Sequence, residues 1–320
     1  MLTTIKNYLD EVVCLDVLMV GSIAYDSVTS PVGNVEDALG GSAVYAGIAS
    51  RFHGNYLGLE KIGLVGVVGQ DFKSTDIAML ESQGLDLTGL EIAEGKTFRW
   101  EGSYHGDMGV AQTHDTQLNV FGDFDPKVPS QSTSPKVLFC ANLVPMLQAK
   151  VLDQAKGTRL SMLDSMNLWI EIAKEDLLSV MKSVDLIIIN EGEVRMLTQD
   201  NNLIRASRTL IQMVGCQTLV IKKGENGVVA FHGGEIISLP AYPTDKVVDP
   251  TGCGDSFAGT IAAFLSSNDG ELTRDELREA LVRATVTASF TLESFGTSGL
   301  LDLTVEMFNS RLNKFEKILS

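Results

Sequence analysis

The sequence predicts an α/β protein with a three-layer body, in which helices cover both faces of a mainly parallel sheet, and a small β-sheet lid attached to it. Short apolar strands alternate with amphipathic helices over most of the 320 residues, which is the pattern of βαβ units. Two segments, 23–39 and 90–118, interrupt this alternation. Hydrophobic residues make up 44% and charged residues 21% of the chain, so a sizeable core can form.

Short apolar runs bounded by turn residues predict the strands of the body. A hairpin at the sheet edge is predicted where Val228–Phe231 and Ile236–Leu239 flank a Gly-Gly pair. The other predicted core strands are Val17–Gly21, Lys61–Val65, Val137–Cys140, Leu160–Leu163, Asp185–Ile189 and Thr218–Ile221.

Apolar residues at helical spacing predict the helices between these strands. In the helix that begins at Arg274, for example, Leu277, Leu281, Ala284 and Ala288 form one apolar stripe. The predicted helices are Ser42–His53, Thr75–Gln83, Leu147–Lys156, Lys174–Lys182, Leu203–Val214, Asp255–Ser266, Arg274–Thr291 and Val305–Leu319.

The two interrupting segments are predicted to form the lid, because both border the candidate substrate site. In the run TFRWEGSY, alternation places Phe98 and Trp100 on one face of a strand and Arg99 on the other. Gly40-Gly41 would serve as a hinge between the lid and the first helix. A plain β-meander that extends the main sheet is the alternative. The predicted domains are a body of residues 1–22, 40–89 and 119–320 and a lid of residues 23–39 and 90–118.

Charge excludes some classes of partner. The net charge is −16, which argues against nucleic acid, because neutralising phosphates requires a basic surface, and against an anionic membrane. The first twelve residues already carry Lys6, Asp10 and Glu11, and no 18-residue apolar span is visible. We therefore expect neither a leader nor a membrane segment.

The four cysteines are scattered without the paired spacing of a zinc site. Cys14, Cys140 and Cys216 lie in or beside apolar runs and are predicted to be buried thiols. Cys253 lies in a Gly-rich turn, where we interpret it as a small spacer that contributes its backbone N–H. This usage of cysteine predicts a reducing, cytoplasmic environment.

The run VVDPTGCGDSFAGT, at residues 247–260, carries the strongest chemical signal. The turn Gly252-Cys253-Gly254 leads into a helix that begins near Asp255. Converging backbone N–H groups and the positive end of the helix dipole make an anion site. A carboxylate is unfavourable there, so we interpret Asp255 as a proton acceptor for a group that attacks the bound anion. The alternative is that Asp255 only stabilises the helix N-terminus.

The string D-P-T-G-C-G-D-S-F-A-G closely resembles the C-terminal signature of the ribokinase-like, or PfkB, family of carbohydrate and nucleoside kinases. Motifs similar to the family's follow in the same order from about residue 16 to residue 300. The resemblance implies a ribokinase-like body with a lid, and a kinase that uses ATP and Mg²⁺. It implies that Asp255 is the catalytic base and that the N–H groups of Gly252, Cys253 and Gly254 hold the phosphoryl oxygens.

Two motifs near the N-terminus resemble the acceptor-binding elements of the family. VGSIAYD, which ends at Asp26, is similar to its V-G-x-x-x-x-D strand end, and GGSAVYA, which begins at Gly40-Gly41, to its G-G-x-x-x-N-x-A helix start. The resemblance implies that Asp26 binds substrate hydroxyls and that the Gly pair allows close approach of the backbone. Taken alone, an Asp at a strand end such as Asp26 is more often a turn former.

The chain departs from the family pattern in this region. Tyr45 replaces the usual Asn and Ser42 replaces the Lys of ribokinases proper, which weakens ribose as the acceptor. The ring of Tyr45 suits stacking on a sugar face or a base. The run Asp164–Trp169 is similar to the D-x-N-x-R-x-x-L-W region of some relatives but lacks its Arg. We expect Asn167 to contact substrate and Arg99 of the lid to replace the missing Arg.

Two further motifs are similar to the nucleotide-binding elements of the family. NEGE matches N-x-x-E, which implies that Asn190 and Glu193 lie near the triphosphate and that Glu193 orients magnesium-bound water. The same spacing forms a capping box, and both roles are compatible. KKGENG matches T-L-G-x-x-G, which implies that Lys222, Gly224 and Gly227 lie at the nucleotide phosphates. A strand-end lysine is otherwise a solvated charge.

The resemblance also implies a monovalent cation, usually potassium, at Asp249 and Thr251. The loop Glu293–Thr297 would supply further carbonyl ligands and border the adenine. Carbonyl ligands leave no signature in side chains, so the residues themselves do not test this implication.

We therefore expect an ATP-dependent kinase that phosphorylates a hydroxyl of a small sugar or polyol. The alternatives are a nucleoside kinase, in which Tyr45, Phe98 and Trp100 would stack on the base, and a catalytically silent sugar-binding regulator. The chain contains no Walker A sequence, which argues against a P-loop kinase. Lid sheets of the family often pair across a two-fold axis, so a homodimer through the lid and a monomer are both compatible with the sequence.

Overall fold

A computed structural model describes residues 15–106 and 108–320. Cys14, the charged residues of the first twelve positions and Asp107 lie outside the described residues. The strands are β1 (Val17–Val20), β2 (Ala24–Ser30), β3 (Gly33–Gly40), β4 (Ile62–Gly69), β5 (Leu85–Ala93), β6 (Phe98–Tyr104), β7 (Ala111–Gln117), β8 (Val137–Cys140), β9 (Leu160–Asp164), β10 (Leu186–Asn190), β11 (Thr218–Lys222), β12 (Val228–His232) and β13 (Glu235–Leu239).

The helices include all eight predicted segments, with ends that differ by a few residues. Three further helices, α4 (Asn167–Ile172), α6 (Glu191–Thr198) and α10 (Ser298–Leu301), are not among the predicted segments, although the capping box at Asn190 marks the start of α6. The helices are α1 (Ser42–Leu57), α2 (Ser74–Ser82), α3 (Pro145–Gln154), α4 (Asn167–Ile172), α5 (Lys174–Met181), α6 (Glu191–Thr198), α7 (Leu203–Val214), α8 (Cys253–Ser266), α9 (Arg274–Leu292), α10 (Ser298–Leu301) and α11 (Val305–Leu319).

Nine strands form one sheet in the order β13-β12-β11-β10-β9-β8-β1-β4-β5. All neighbours from β11 to β5 pair in parallel, while β12 and β13 form the predicted antiparallel hairpin at the edge. The predicted mainly parallel sheet is confirmed. Strand β5 corrects one boundary: residues 90–93 pair with β4 in this sheet, although the sequence placed them in the lid.

Alternating side chains bury both faces of the sheet and produce the three layers. Val17 and Met19 of β1 belong to the core shared with α1, α8, α9 and α11, whereas Leu18 and Val20 face α3 on the other side. Helices α4 to α7 complete that second layer over β9 to β12. Cys140 and Cys216 are buried free thiols, as predicted.

Four strands form a separate small sheet in the order β3-β2-β6-β7, which confirms a lid rather than an extension of the main sheet. Strands β2 and β6 run parallel, and their register sets Asp26 beside Trp100 and Tyr25 beside Arg99. Because paired residues of neighbouring strands point to the same face, Asp26 and Arg99 lie on opposite faces of the lid. The division of the whole chain into body and lid by residue number stays a prediction.

Among the helices of the described residues, none combines the length and the apolar character that crossing a bilayer would require.

Candidate active site

The candidate site lies at the carboxyl edge of the large sheet, where parallel strands leave their polar end residues together. Asp164 ends β9, Asn190 ends β10 and Lys222 ends β11. Helix α8 begins beside them and brings Asp255 to the same edge, which becomes the centre of the site.

The start of α8 depends on Gly252, which has φ 76° in the left-handed region that favours glycine. A Cβ atom at this position would also collide with the ring of Tyr45 from α1. Glycine therefore fits the turn for two reasons, one of backbone conformation and one of packing, and the sequence motif revealed only the first.

The amides of this turn are not equally free. The N–H of Cys253 donates to the carbonyl of Pro250 at 3.2 Å, so it is engaged within the turn, and its part in holding a phosphate stays a prediction. Within the described part of the chain, the N–H groups of Gly252 and Gly254 donate to no backbone carbonyl. These two amides, with the dipole of α8 behind them, form the candidate anion-binding element.

Asp255, the third residue of α8, has an electrostatic environment suited to proton transfer. Burial is the main cause that raises its pKa to about 6, the charge of Asp164 raises it further, and Lys222 opposes both. A carboxyl with this pKa is mostly ionised at pH 7 yet basic enough to accept a proton.

Lys222 links the turn to the strand ends. Its Nζ donates to Asp164 Oδ2 at 2.6 Å and lies 3.0 Å from the position that a Cβ on Gly254 would occupy. The Asp164 side chain is buried, and burial raises its pKa while Lys222 lowers it. Sequence analysis did not predict Asp164 as a site residue, although its place after an apolar strand was the available signal.

Glu193 has the geometry of the predicted capping box. Its Oε2 accepts from the backbone N–H of Asn190 at 2.8 Å, and its own N–H donates to Asn190 Oδ1 at 2.9 Å. Asn190 Nδ2 also donates to Glu193 Oε1 at 2.7 Å. Burial, followed by the charge of Asp164, raises the pKa of Glu193 to about 8. The capping role is confirmed, and the magnesium role stays a prediction.

Asp26 approaches the site from the lid. A Cβ on Gly40 would collide with its carboxylate, and the backbone N–H of Gly41 donates to it. Burial raises the pKa of Asp26 to about 7, and the charges of Asp249 and Asp255 raise it further. The Gly pair thus allows the aspartate to lie against the backbone at the start of α1.

Tyr45 is 1% exposed, and its ring packs against Gly252. The ring therefore has no face open for the predicted stacking on a sugar or a base. Its hydroxyl is buried and has no hydrogen-bond partner among the described residues, and the carboxylates of Asp26, Asp249 and Asp255 act on it electrostatically. A substrate role for Tyr45 stays a prediction for the hydroxyl alone.

Asp249 is fully buried and accepts from the backbone N–H of Thr251 at 2.9 Å and of Gly296 at 3.4 Å. Burial raises its pKa. The hydroxyl of Thr251 donates to that of Tyr104 in the lid at 3.2 Å. No pattern in the sequence pointed to Tyr104, because only the packing of the lid strands on the body brings it here.

The predicted substrate role of Arg99 stays a prediction, and its contacts in the structure oppose it. The guanidinium is paired with Asp37 and with Asp71, the latter at 2.9 Å, on the lid face opposite Asp26. Strand alternation separates it from the site, and two carboxylates already neutralise its charge.

The remaining predicted residues lie at the rim. Asn167 is exposed at the start of α4, and Gly224 lies in the turn that follows Lys222. Gly227 allows the chain to cross closely over Leu239, because a Cβ there would collide with that carbonyl. Contacts of these three residues with nucleotide or substrate stay predictions.

Comparisons with known proteins agree with this geometry. The profile described as pfkB family carbohydrate kinase matches residues 138–303. The chain is 32% identical over 265 residues to the cytidine kinase of Thermococcus kodakarensis, covering 79% of this chain and 89% of that protein. It is 31% identical to fructokinase-2 of Zea mays over 112 residues, 35% of this chain and 33% of that one.

A solved structure shows the same fold over nearly the whole length. The nucleoside kinase of Methanocaldococcus jannaschii, described as an archaeal member of the ribokinase family, superposes with a TM-score of 0.74 at 21% identity. The superposition covers 94% of this chain and 99% of that one.

Proposed function

Because this chain belongs to the pfkB family of carbohydrate kinases, we propose that its acceptor is a nucleoside, whose hydroxyl group receives the terminal phosphate of ATP. The chain is a phosphotransferase acting on a sugar or a nucleoside. The proposal concerns the choice between these two acceptor classes, for which the sequence alone favoured a sugar or polyol.

An exposed apolar surface next to the site carries the proposal. We call it the apolar shelf, and it is formed by the segments that follow β8 and β9, in the connecting loops and the first turns of α3 and α4. Gln148 Nε2 joins these loops by donating to the carbonyls of Ala141 and Asp164, each at 2.9 Å. The side chains of the shelf are Val144, Met146, Met166 and Leu168, between 37% and 67% exposed.

The shelf also carries a polar amide. Asn142 Oδ1 accepts from Trp169 Nε1 at 2.8 Å, while its Nδ2 donates to the weak acceptor Met166 Sδ at 3.1 Å. A flat nucleobase presents an apolar face and a hydrogen-bonding edge, and methionine adapts readily to such rings. A free hexose or polyol has no comparable apolar face to bury.

Two further observations favour a neutral nucleoside. Arg99, the one cation that the sequence offered for an acidic acceptor, is paired on the far face of the lid. The similarity to the cytidine kinase spans most of both chains, whereas that to the fructokinase spans about a third of each.

In the proposed reaction, Asp255 accepts the proton of the acceptor hydroxyl as its oxygen bonds to the γ-phosphorus. The bond between that phosphorus and the β–γ bridging oxygen breaks, and ADP leaves. Asp26 orients the attacking hydroxyl, while the N–H groups of Gly252 and Gly254 stabilise charge on the transferred group. Closure of the lid excludes water, which would otherwise compete as acceptor.

Lys222, Asp164 and Glu193 fit a magnesium–nucleotide complex. Lys222 would pair with phosphate oxygens, and the two carboxylates would hold magnesium-bound water. The described residues contain no group of three or more metal-ligating side chains. This sparse set suits Mg²⁺, which keeps several waters and neutralises the phosphates when bound.

Potassium at Asp249 and Thr251 is a further proposal. It is supported by the full burial of the Asp249 carboxylate against backbone amides. If a monovalent cation binds there, replacing K⁺ by choline lowers the rate and KCl restores it. An identical rate in both salts would contradict the site.

A homodimer through the lid also remains a proposal. It is supported by the outer strand β7, whose residues after Ala111 are all exposed and whose outer edge is unpaired within the described chain. Light scattering of the eluted protein measures the mass in solution, and a mass of one chain at high concentration would contradict the dimer.

An acceptor screen tests the proposed function. ADP release is measured with Mg·ATP and a panel of nucleosides, pentoses, hexoses and inositols, with Asp255→Asn as the control for contaminating kinases. We expect kcat/KM for the best nucleoside to exceed that of the best sugar by about 10²-fold or more. A sugar or polyol as the preferred acceptor would overturn the proposal.

A substitution in the apolar shelf tests more directly whether the base of the nucleoside binds there. Met146→Glu places a charge where the base would lie and should raise the nucleoside KM by about tenfold or more. Met213→Glu is the matched control, since Met213 is 40% exposed on α7, away from the sheet edge that forms the site. If the two substitutions raise the nucleoside KM equally, the shelf does not bind the base.

A further inference from the structure

One hydroxyl contact joins the lid to the phosphate-binding turn. Tyr104, the last residue of β6, accepts a hydrogen bond from Thr251 Oγ1 at 3.2 Å. Thr251 immediately precedes Gly252, whose amide donates to no backbone carbonyl among the described residues. Tyr104 is 8% exposed, so this contact is buried between the lid and the turn rather than on the surface.

Apolar packing surrounds the same contact. Tyr104, Val28 and Met108 of the lid form one cluster, against which Val247 and Phe295 of the body pack. Val247 lies two residues before Asp249, and Phe295 precedes Gly296, whose N–H donates to Asp249. The lid therefore rests on the two loops that fix Asp249.

The other side of the lid is attached elsewhere. The hydroxyl of Tyr25 donates to Asp76 Oδ2 at 2.6 Å and accepts from the N–H of Lys73 at 2.9 Å. Arg99 pairs with Asp71. These contacts secure the lid to the region of α2 and do not involve the turn before α8.

We propose that Tyr104 is a positioning residue that transmits closure of the lid over the acceptor to the turn that binds the nucleotide phosphates. With the acceptor enclosed, Tyr104 holds Thr251 and thereby aligns the amides of Gly252 and Gly254. The acceptor and the nucleotide then bind cooperatively, and each strengthens the other by the same factor. This inference rests on the proposed function for the identity of the acceptor.

Calorimetry tests the coupling without turnover. The dissociation constant of a non-hydrolysable ATP analogue with Mg²⁺ is measured with and without saturating nucleoside. We expect the nucleoside to tighten nucleotide binding about fivefold or more in the native protein. In Tyr104→Phe the factor falls to about one, while the affinity for the analogue alone changes less than about threefold.

Tyr25→Phe is the matched control, because it removes a lid-to-body hydroxyl that does not reach the turn. It should keep the native coupling factor. Thr251→Val should lose the coupling, Thr251→Ser should keep it, and Tyr104→Phe combined with Thr251→Val should behave as either single variant. These variants also decide the question if Tyr104→Phe fails to fold.

Retention of the native factor in Tyr104→Phe or in Thr251→Val would overturn the inference. Failure of the proposed function is distinguishable, since it appears as absence of nucleoside binding to the native protein. The coupling is then measured with the acceptor that the screen identifies.

Discussion

Two groups of buried carboxylates lie on opposite sides of the turn at Gly252, and their partners differ. On the lid side, the carboxylates of Asp26 and Asp249 accept from backbone amides, and within the described residues no hydrogen bond joins them to a cation. On the strand side, Asp164 pairs with the ammonium of Lys222 at 2.6 Å. Asp255 lies between the two groups.

This difference fits two different ligands. Uncompensated carboxylates with raised pKa values suit neutral hydroxyl groups, which donate hydrogen bonds to them, and repel anions. The ammonium of Lys222 suits the polyphosphate. When the nucleotide binds, its phosphate oxygens would take the place of the Asp164 carboxylate as the anionic partner of the ammonium. The acceptor and the phosphate donor are thus separated by charge as well as by position, and four substitutions test how far this separation holds.

The largest effect is expected at the boundary between the two groups. Asp255→Asn removes the base but keeps the shape of the side chain, so kcat should fall by about 10²–10⁴-fold. The KM of the acceptor should change less than about threefold, because Asp26 still binds the hydroxyl. Steady-state kinetics over a range of acceptor concentrations measures both constants.

The dependence of kcat on pH provides a second test of Asp255 as the base. With a pKa of about 6, Asp255 is protonated below that pH, and kcat should decline there in the native enzyme. Near-native turnover in Asp255→Asn, or a flat rate from pH 8 to pH 5, would assign the base elsewhere.

Lys222→Met tests the strand side. It leaves Asp164 buried beside other carboxylates without its cation, so the free energy of unfolding at pH 8 should fall by about 3–5 kcal/mol. Adding Asp164→Asn should recover most of that stability but not the nucleotide affinity. Denaturant unfolding measures the first and calorimetry the second.

Lys150→Met is the control, because the pair of Lys150 with Asp125 is about half exposed and should contribute little to stability. If Lys222→Met were no more destabilising than this control, the strand side would not depend on its cation.

Asp26→Asn tests the lid side through the pH dependence of stability. The pKa of Asp26 rises from 3.8 to about 7 on folding, so its contribution to stability is fully present below about pH 4 and lost as the pH rises to about 7. The variant should therefore be more stable than the native protein at pH 8.5, by on the order of 2–4 kcal/mol, and equal to it near pH 4. Thermal or denaturant unfolding at both values measures this difference.

Asp153→Asn, on the exposed surface of α3, controls for introducing an amide and should show no such pH dependence. If the native protein has a higher free energy of unfolding than Asp26→Asn at pH 8.5, a cation must compensate the charge of the lid-side carboxylates.

The smallest effect is expected for Arg99→Ala, on the lid face away from the site. Its pairs with Asp37 and Asp71 are partly exposed, so stability should fall by about 1 kcal/mol or less. The acceptor KM should stay within about twofold of the native value. A tenfold increase in that KM would return Arg99 to the substrate site and weaken the contrast between the two faces of the lid.

Local patterns predicted much of the fold and the centre of the site. The apolar strands, the helix that starts at Asp255 and the capping box of Asn190 with Glu193 depend on residues within a few positions of one another. The strand β5 escaped prediction because its alternating pattern suits an edge of the main sheet and a lid equally well.

Sequence alone thus determined most of the helices and strands and the presence of a carboxylate at a glycine-rich helix start. The tertiary structure decided which distant residues surround that start: Lys222 pairs with Asp164 across 58 positions, and Tyr104 reaches Thr251 across 147. It also turned Arg99 away from the site, buried the ring of Tyr45 and engaged the amide of Cys253. The physical reason is that such contacts follow from strand order and register, which distant segments set only when they pack together.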